Sequence, residues 1–564
     1  MSETNKPSTF VKQGFVSGAF ILMLSNIIVK VIGAAFKIPL VNTIGTEAMS
    51  YFNSAYYIYV LFYSVSTAGL PVAISRMIAA SNAQGKRTEV KHIFKVSLLL
   101  FTVVGTLGTL CMVVFCHQFS ALAKNPHLYL SLLAIAPTLF FICIVSAFRG
   151  YFQGLQNMIP TGVSQVIEAV GKLALGLMFA NYAIQAGMNS WQAAAFAILG
   201  VTLGVVASSV YLMLSKLWNK HDAFIPFDSS EPVRTSGSLV KELIRIAIPI
   251  TISSSIMSLS GVIDTFVVVP RLQSLGLDLE TVNKLYGAYT SYSVPLFNMP
   301  PNLIYPFSIS IIPLLSAFNS KHPGVTANNI IESTLRIASI IALPCTFGLA
   351  VLAKPIIALL YKNEALYTND AGKVLMAYDV SASLLMVLAV SVFFVSIIAV
   401  TNSILQSYGF ERYTIYSTML GIVVKLISAY ALIGIPTIGL YGTPISTGLM
   451  YLTIMILNFY FLIHFTKFKP RLRRTYLKPF VASLVCSVAA FATYQLFHSR
   501  INYKIATLIA VAVAAVVYTL VLLLLRSLTS ADILLLPKGK FILNLMKKYK
   551  LIPKHDVENT DKID

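Results

Sequence analysis

The sequence predicts an all-α membrane protein of about fourteen transmembrane helices, arranged as two six-helix parallel repeats followed by two extra helices. Composition is the first observation behind this. Of 564 residues, 57% are hydrophobic and only 11% are charged, with a mean hydropathy of +0.77, a balance foreign to soluble domains of this length. The second observation is the number of apolar stretches long enough to cross a bilayer. The third is an echo between the two halves of the chain.

Taken in order, the apolar stretches lie near 14–40, 51–77, 92–117, 128–149, 158–183, 192–217, 241–269, 286–315, 329–354, 376–404, 412–435, 439–465, 476–497 and 503–527. The first follows Lys6 and Lys12 but is too long for a signal h-region and lacks a small-residue cleavage site, so it reads as a retained helix. It carries Val31, Ile32, Pro39 and Gly45, and the seventh carries Val262, Ile263, Pro270 and Gly276 at the same spacing. The second has Tyr57, Pro71, Ile74 and Ser75 where the eighth has Tyr292, Pro306, Ile309 and Ser310. Near the fourth and fifth, Gln153, Ser164, Val170, Lys172 and Leu173 match Gln406, Ser417, Val423, Lys425 and Leu426.

Six spans is an even number, so both copies enter the membrane the same way. That geometry predicts parallel repeats about an axis along the membrane normal, with a substrate path between them. The expected layout is a lobe at 1–218, a polar cytoplasmic linker at 219–238 (with Asp222, Asp228 and Glu231), a second lobe at 239–466, two extra helices at 467–530 and a basic cytoplasmic tail at 531–564. In the tail, Phe541, Ile542, Leu545 and Met546 alternate with Lys540, Lys547, Lys548 and Lys550, as in an amphipathic helix on the inner leaflet or a disordered basic segment.

The net charge of +21 does not point to nucleic acid. With a cytoplasmic N-terminus, the clusters Arg76, Lys86, Arg87, Lys91, Lys95 and Lys467, Lys469, Arg471, Arg473, Arg474, Lys478 all fall inside, which is the positive-inside bias of a multi-pass protein with both termini in the cytoplasm. Anionic inner-leaflet lipids are the partners such loops imply. Five cysteines lie within or beside spans without metal-ligand spacing, and the histidines are scattered, so neither a metal nor a cofactor is expected.

The chemistry rests on charges inside spans. Asn26, Lys30, Gly33 and Lys37 recur at helical spacing and share one stripe of the first span. A lysine near the bilayer centre costs roughly 2.5–3.5 kcal/mol, so such residues line a wet cavity or meet a counter-charge. Neither has a carboxylate within a helical turn, which suits a site for an anion. Glu168 and Lys172 stand four apart in the fifth span, an arrangement that either neutralises itself or serves as a breakable pair. Asp264 in the seventh span and Lys425 in the eleventh are each alone on their helices and read as a structural or coupling pair.

Arg149 ends the fourth span before Gly150 and Gly154, whose glycines suit a tight turn where Arg149 forks onto phosphate or caps helix-end carbonyls. Gln153, Tyr57, Tyr292 and Asn298 complete the candidate cavity or gating set. Pro300, Pro301, Pro306 and Pro313 predict a bent eighth helix.

Lys30-Val31-Ile32-Gly33 with Lys37-Ile38-Pro39, the run Arg149-Gly150-Tyr151-Phe152-Gln153-Gly154, and Ser164-Gln165-Val166-Ile167-Glu168 resemble the polysaccharide flippases of low-GC Gram-positive bacteria. That group includes the stage V sporulation protein B and lipid II flippase families of the multidrug/oligosaccharidyl-lipid/polysaccharide exporter superfamily. The resemblance implies two six-helix lobes around a V-shaped central cavity in a bacterial plasma membrane. It also implies export of an undecaprenyl-diphosphate-linked sugar to the outer leaflet, with Lys30 and Lys37, assisted by Asn26, placed to receive the diphosphate. Lysine stands here where arginine is common, which trades a planar fork for a point charge. Lys425 falls about where some relatives carry an amide ligand for sodium, so no conventional sodium site is expected.

Two other readings are open. A multidrug antiporter of the same fold class favours cavity carboxylates for cationic drugs, opposite to the lysines of the first span. A membrane-embedded glycosyltransferase needs catalytic carboxylates on a substantial loop. The outside loop from Lys354 to Lys373 holds only Glu364 and Asp370, so the chain is not expected to be an enzyme.

Overall fold

Long runs of leucine, isoleucine, valine and alanine leave the backbone one local solution in hydrocarbon, the helix, because every peptide group must find its partner within its own segment. A computed structural model describes residues 15–218, 234–321, 327–368, 372, 374–525 and 527. The expected amphipathic tail and the acidic linker residues Asp222, Asp228 and Glu231 lie outside these. Among the described residues, thirteen stretches are long and apolar enough to cross a membrane, as befits a multi-pass membrane protein. The first runs from Ile21 to Ala83 and covers the first two expected spans, which is why the number is thirteen rather than fourteen.

The chain divides into two units, Met1–Thr265 and Phe266–Asp564. The first holds α1 (Phe15–Thr67), α2 (Leu70–Ala83), α3 (Arg87–Val114), α4 (Cys116–Leu122), α5 (Leu128–Gly154), α6 (Ile159–Gln185), α7 (Ser190–Trp218) and most of α8 (Ser236–Gln273). The second holds α9 (Leu279–Ala288), α10 (Val294–Lys321), α11 (Asn328–Val351), α12 (Ala353–Leu360), a two-stranded antiparallel hairpin β1 (Ala365–Thr368) and β2 (Val374–Met376), then α13 (Ala377–Ser407), α14 (Glu411–Ile433), α15 (Gly442–Thr466), α16 (Lys478–Phe497) and α17 (Tyr503–Leu524). The hairpin occupies the loop that the sequence left featureless and is the one departure from all-helical structure among the described residues.

The division falls inside α8 rather than in the linker, and packing gives the reason. A Cβ on Gly69 would lie 2.1 Å from the Ala247 carbonyl oxygen. Gly261 accepts the ring of Tyr57 in the same way, and the Ser64 and Ser258 hydroxyls are 2.7 Å apart. These contacts draw the first part of α8 onto α1 and α2.

Helix α1 counts 53 residues, roughly 80 Å at ~1.5 Å per residue, more than twice the hydrocarbon core. Its break is Gly45, with φ 79° and ψ 172°, a backbone region open to essentially nothing but glycine. The repeat partner Gly276 also has a positive φ, 91°. After the fourth and tenth expected spans, Gln156 (φ 59°) and Gly409 (φ 80°) occupy matching turns. The internal echo therefore extends from side chains to backbone dihedrals.

One feature differs from expectation. The run from Arg149 to Gly154 is not a turn; it is the last part of α5. Its glycines admit α2, since a Cβ on Gly150 would lie 2.9 Å from the Pro71 carbonyl oxygen and one on Gly154 2.7 Å from Ile78 Cβ. This is small-residue packing of the kind that brings membrane helices together. The turn follows at Leu155 and Gln156. Four prolines sit within the helical span of α10, which is preceded by a π-helical turn at Tyr289–Ser293. Helix α9, leading into that turn, is capped by Asp278, whose carboxylate accepts the Thr281 amide at 3.0 Å. That bond holds the acid below the usual aspartate range.

Candidate functional site

The lysine stripe lies on the N-terminal limb of α1. Asn26, Lys30 and Gly33 are exposed and Lys37 is half-buried, and a Cβ on Gly33 would meet nothing within 4 Å. Leu24, Ile27, Ile28 and Val31 are exposed as well, but on another side of the limb by helical phase. An exposed polar stripe and an exposed apolar face separated on one helix match a membrane element with water on one side and acyl chains on the other.

Helix α6 delivers a third cation. Its rotation is fixed by α7, because the two backbones touch at paired glycines. A Cβ on Gly171 would lie 2.7 Å from Gly204 Cα, and one on Gly200 2.3 Å from the Gly176 amide nitrogen. Gly176 also receives the ring of Phe36, the neighbour of Lys37. Lys172 sits between these contacts at the midpoint of α6. Its Nζ lies 4.8 Å from the centroid of Tyr56 and 5.2 Å from that of Phe36.

The expected Glu168–Lys172 pair does not form. Arg149 reaches from α5 and donates through Nη2 to Glu168 Oε2 at 2.9 Å and through Nε to Ser164 Oγ at 3.0 Å. A guanidinium is both a fork and a more weakly hydrated cation than an ammonium, so it wins a partly buried carboxylate. Arg149 thus directs Nε and Nη2 to side chains of α6.

Magnitudes bear on what Lys172 lacks. Ring faces return about 0.5–2 kcal/mol to a cation, whereas a lysine at mid-membrane costs roughly 2.5–3.5 kcal/mol.

Other expected site residues are placed less centrally. Tyr57 and Gln153 are half-buried in the first unit and Asn298 is exposed in the second. Tyr292 is buried: its ring stacks on Tyr361 at 4.3 Å and its hydroxyl donates to the Lys362 carbonyl at 3.0 Å. It therefore packs the second unit instead of lining a cavity. Asp264 is buried in the first unit and Lys425 in the second, at 8% and 1% exposure.

Sequence reasoning missed the aromatic platform, although Phe36 adjoins Lys37 and Tyr56 lies in a tyrosine-rich run. It also passed over Glu332 and Arg336, four apart in α11 and paired at 3.1 Å, and over Glu89, a buried carboxylate engaged by Arg234.

A family profile described as "Polysaccharide biosynthesis protein" matches residues 15–319. The chain is similar to stage V sporulation protein B of Bacillus subtilis (strain 168), 25% identical over 79% of this chain and 83% of that one. It is similar also to lipid II flippase MurJ of the same strain, 23% identical over 89% and 93%. Among solved structures, an inward closed lipid II flippase superposes with a TM-score of 0.63 at 12% identity, over 89% of this chain and 98% of that one. An inward-facing multidrug resistance MATE family transporter superposes with 0.64 at 17%, over 78% and 94%. At these identities the two structures attest the fold alone.

Proposed function

Because the chain belongs to the polysaccharide biosynthesis protein family, we propose that it is a flippase for an undecaprenyl-diphosphate-linked oligosaccharide, a transporter and not an enzyme. In this reading it works in the bacterial plasma membrane with both termini cytoplasmic, its basic loops held against anionic lipids. It exposes one site first to the inner and then to the outer leaflet. The names of its relatives, a lipid II flippase among them, support that class of cargo.

The observation that carries the proposal is the polar stripe of α1, with Asn26 and Lys30 exposed and Lys37 half-buried. Its task is to hold phosphate charge while sugars pass and the polyprenyl tail stays in lipid. Electrostatic attraction strengthens away from bulk water, so a few lysines suffice there. A multidrug antiporter would present carboxylates to cationic drugs, and this stripe has none.

Lys30→Ala and Lys37→Ala are each expected to abolish flipping of an undecaprenyl-linked glycan in proteoliposomes, with monodisperse elution unchanged. Full complementation of a flippase-deficient strain by the double variant would refute the assignment. The same proteoliposomes, assayed with and without an imposed potential, report the energy source.

A further inference from the structure

We propose that a cavity in the second unit, at the start of α13, binds a phospholipid whose headgroup is zwitterionic with a free ammonium, as in phosphatidylethanolamine. The site shares no residue with the stripe on α1 and goes beyond the cargo reading above.

The walls decide what kind of molecule fits. Where α8 and α14 end and α13 and α15 begin, the chain bounds a cavity of about 540 Å³, within the roughly 300–1,000 Å³ of sites that hold small ligands. Leu285 of α9, Leu375 of β2, Leu384 of α13 and Leu440 before α15 give it apolar sides. A glycan would bury hydroxyls there without partners, which is unfavourable, whereas an acyl chain would not. The cavity lies where membrane-crossing helices end, the depth at which a lipid carries its headgroup.

Charge decides which lipid. Asp379, in the first turn of α13, lines the cavity, and Lys354 Nζ of α12 stands 2.5 Å from its Oδ1. Both side chains are more than half exposed, Lys354 at 59% and Asp379 at 54%. An ion pair so exposed is weak, so its two members can exchange partners at little cost. An acid and a base side by side complement a head that carries an ammonium and a phosphate. The ammonium donates to the Asp379 carboxylate and the phosphate accepts from Lys354, both as charge-assisted bonds. An anionic head would meet Lys354 but set its charge against Asp379, and a cationic amphiphile would do the reverse.

The surroundings hold these groups in place before any ligand arrives. Tyr378 donates its hydroxyl to the Tyr361 carbonyl at 2.5 Å, and the Ala377 amide donates to the Glu364 carbonyl at 2.8 Å. The start of α13 is thereby stitched to the strap that follows α12. On the other side, Arg271 at the end of α8 donates to the Tyr430 carbonyl of α14 at 3.1 Å and lies over the Tyr430 ring. Such preorganisation lowers the cost of binding.

The test uses the purified full-length protein, freed of lipid in detergent, with phosphatidylethanolamine and phosphatidylglycerol of identical acyl chains titrated separately and followed by native mass spectrometry. The unaltered protein is expected to hold phosphatidylethanolamine about tenfold more tightly. Asp379→Asn should erase that preference, and Lys354→Gln should weaken phosphatidylethanolamine binding by a similar factor. Thr437→Trp, on an exposed turn that lines the cavity, fills it without altering charge and should also weaken phosphatidylethanolamine binding. Equal affinity for the two lipids in the unaltered protein overturns the proposal, as does a preference that survives Asp379→Asn. Flipping plays no part in these measurements, so either failure leaves the flippase reading standing.

Discussion

The two repeats place a lysine at the same point, Lys172 in α6 and Lys425 in α14, and treat it in opposite ways. Lys172 keeps a share of exposure above two aromatic rings. Lys425 is 1% exposed. The positions around them explain the difference. Where the first unit has Glu168, the second has Gly421, which packs so closely on α15 that a Cβ would lie 2.5 Å from Ile454 Cγ1. Where the first has Arg149, the second has Asn402, which accepts from Asn458 Nδ2 at 2.7 Å. The first copy has kept an accessible cation and paid for it with an inter-helix ion pair, whereas the second has closed around its lysine.

Helix α11 supplies the control. Glu332 and Arg336 have the same four-residue spacing as Glu168 and Lys172, yet they pair at 3.1 Å within their own helix, both buried. Arg336 also donates to Ser333 Oγ at 3.2 Å, and Arg471 lies 3.9 Å from the second Glu332 oxygen. Spacing makes an i,i+4 pair available; whether it closes depends on what the neighbouring helix offers the carboxylate.

The largest expected effect follows from breaking that buried pair. Arg336→Ala removes the nearer of the two arginines at buried Glu332 and should destabilise the protein by about 3 kcal/mol, read as a fall in thermal midpoint by scanning calorimetry. Replacing both by leucine and methionine should recover most of it. An unchanged midpoint in the single variant would remove the basis for treating α11 as the closed case.

Gly421→Ala comes next, at about 1–3 kcal/mol, because the added methyl meets Ile454 at the α14–α15 contact. The matched change in the first unit, Glu168→Ala, adds no bulk. Its cost should come through Arg149 alone, so equal steric strain at both sites would erase the distinction between the copies.

A smaller effect sharpens the comparison most. Arg149→Ala should cost about 1–2 kcal/mol, less than the loss of a fully buried partner, because Glu168 retains some solvent and Lys172 can swing onto it. In that background Lys172→Ala should become more costly than in the unaltered protein, a coupling that a double-mutant cycle reads directly. Additive costs would mean that Lys172 does not compete for Glu168.

Much of this fold was legible because it is written along the chain. Apolar length gave the spans, and the recurrence of Gly45 at Gly276 anticipated a backbone feature that both units share. The stripe from Asn26 to Lys37 was legible for the same reason, since positions on one helix are fixed by phase. What stayed hidden lies between helices. Nothing within the fifth span reveals that Glu168 belongs to Arg149, or that Phe36 and Tyr56 lie beneath Lys172. The run from Arg149 to Gly154 misled for a related reason: glycine signals a turn in water, but here it marks where α2 comes within contact of α5.

Gly45 sets a condition on any engineering of this protein. The limb bearing Lys30 and Lys37 meets the rest of α1 at one residue whose dihedrals, 79° and 172°, no side chain tolerates well. A single joint therefore aims the whole cationic rod. Fluorophores or crosslinkers intended to follow that rod belong on either side of the joint, and any bulk placed on the joint itself would redirect the lever being observed.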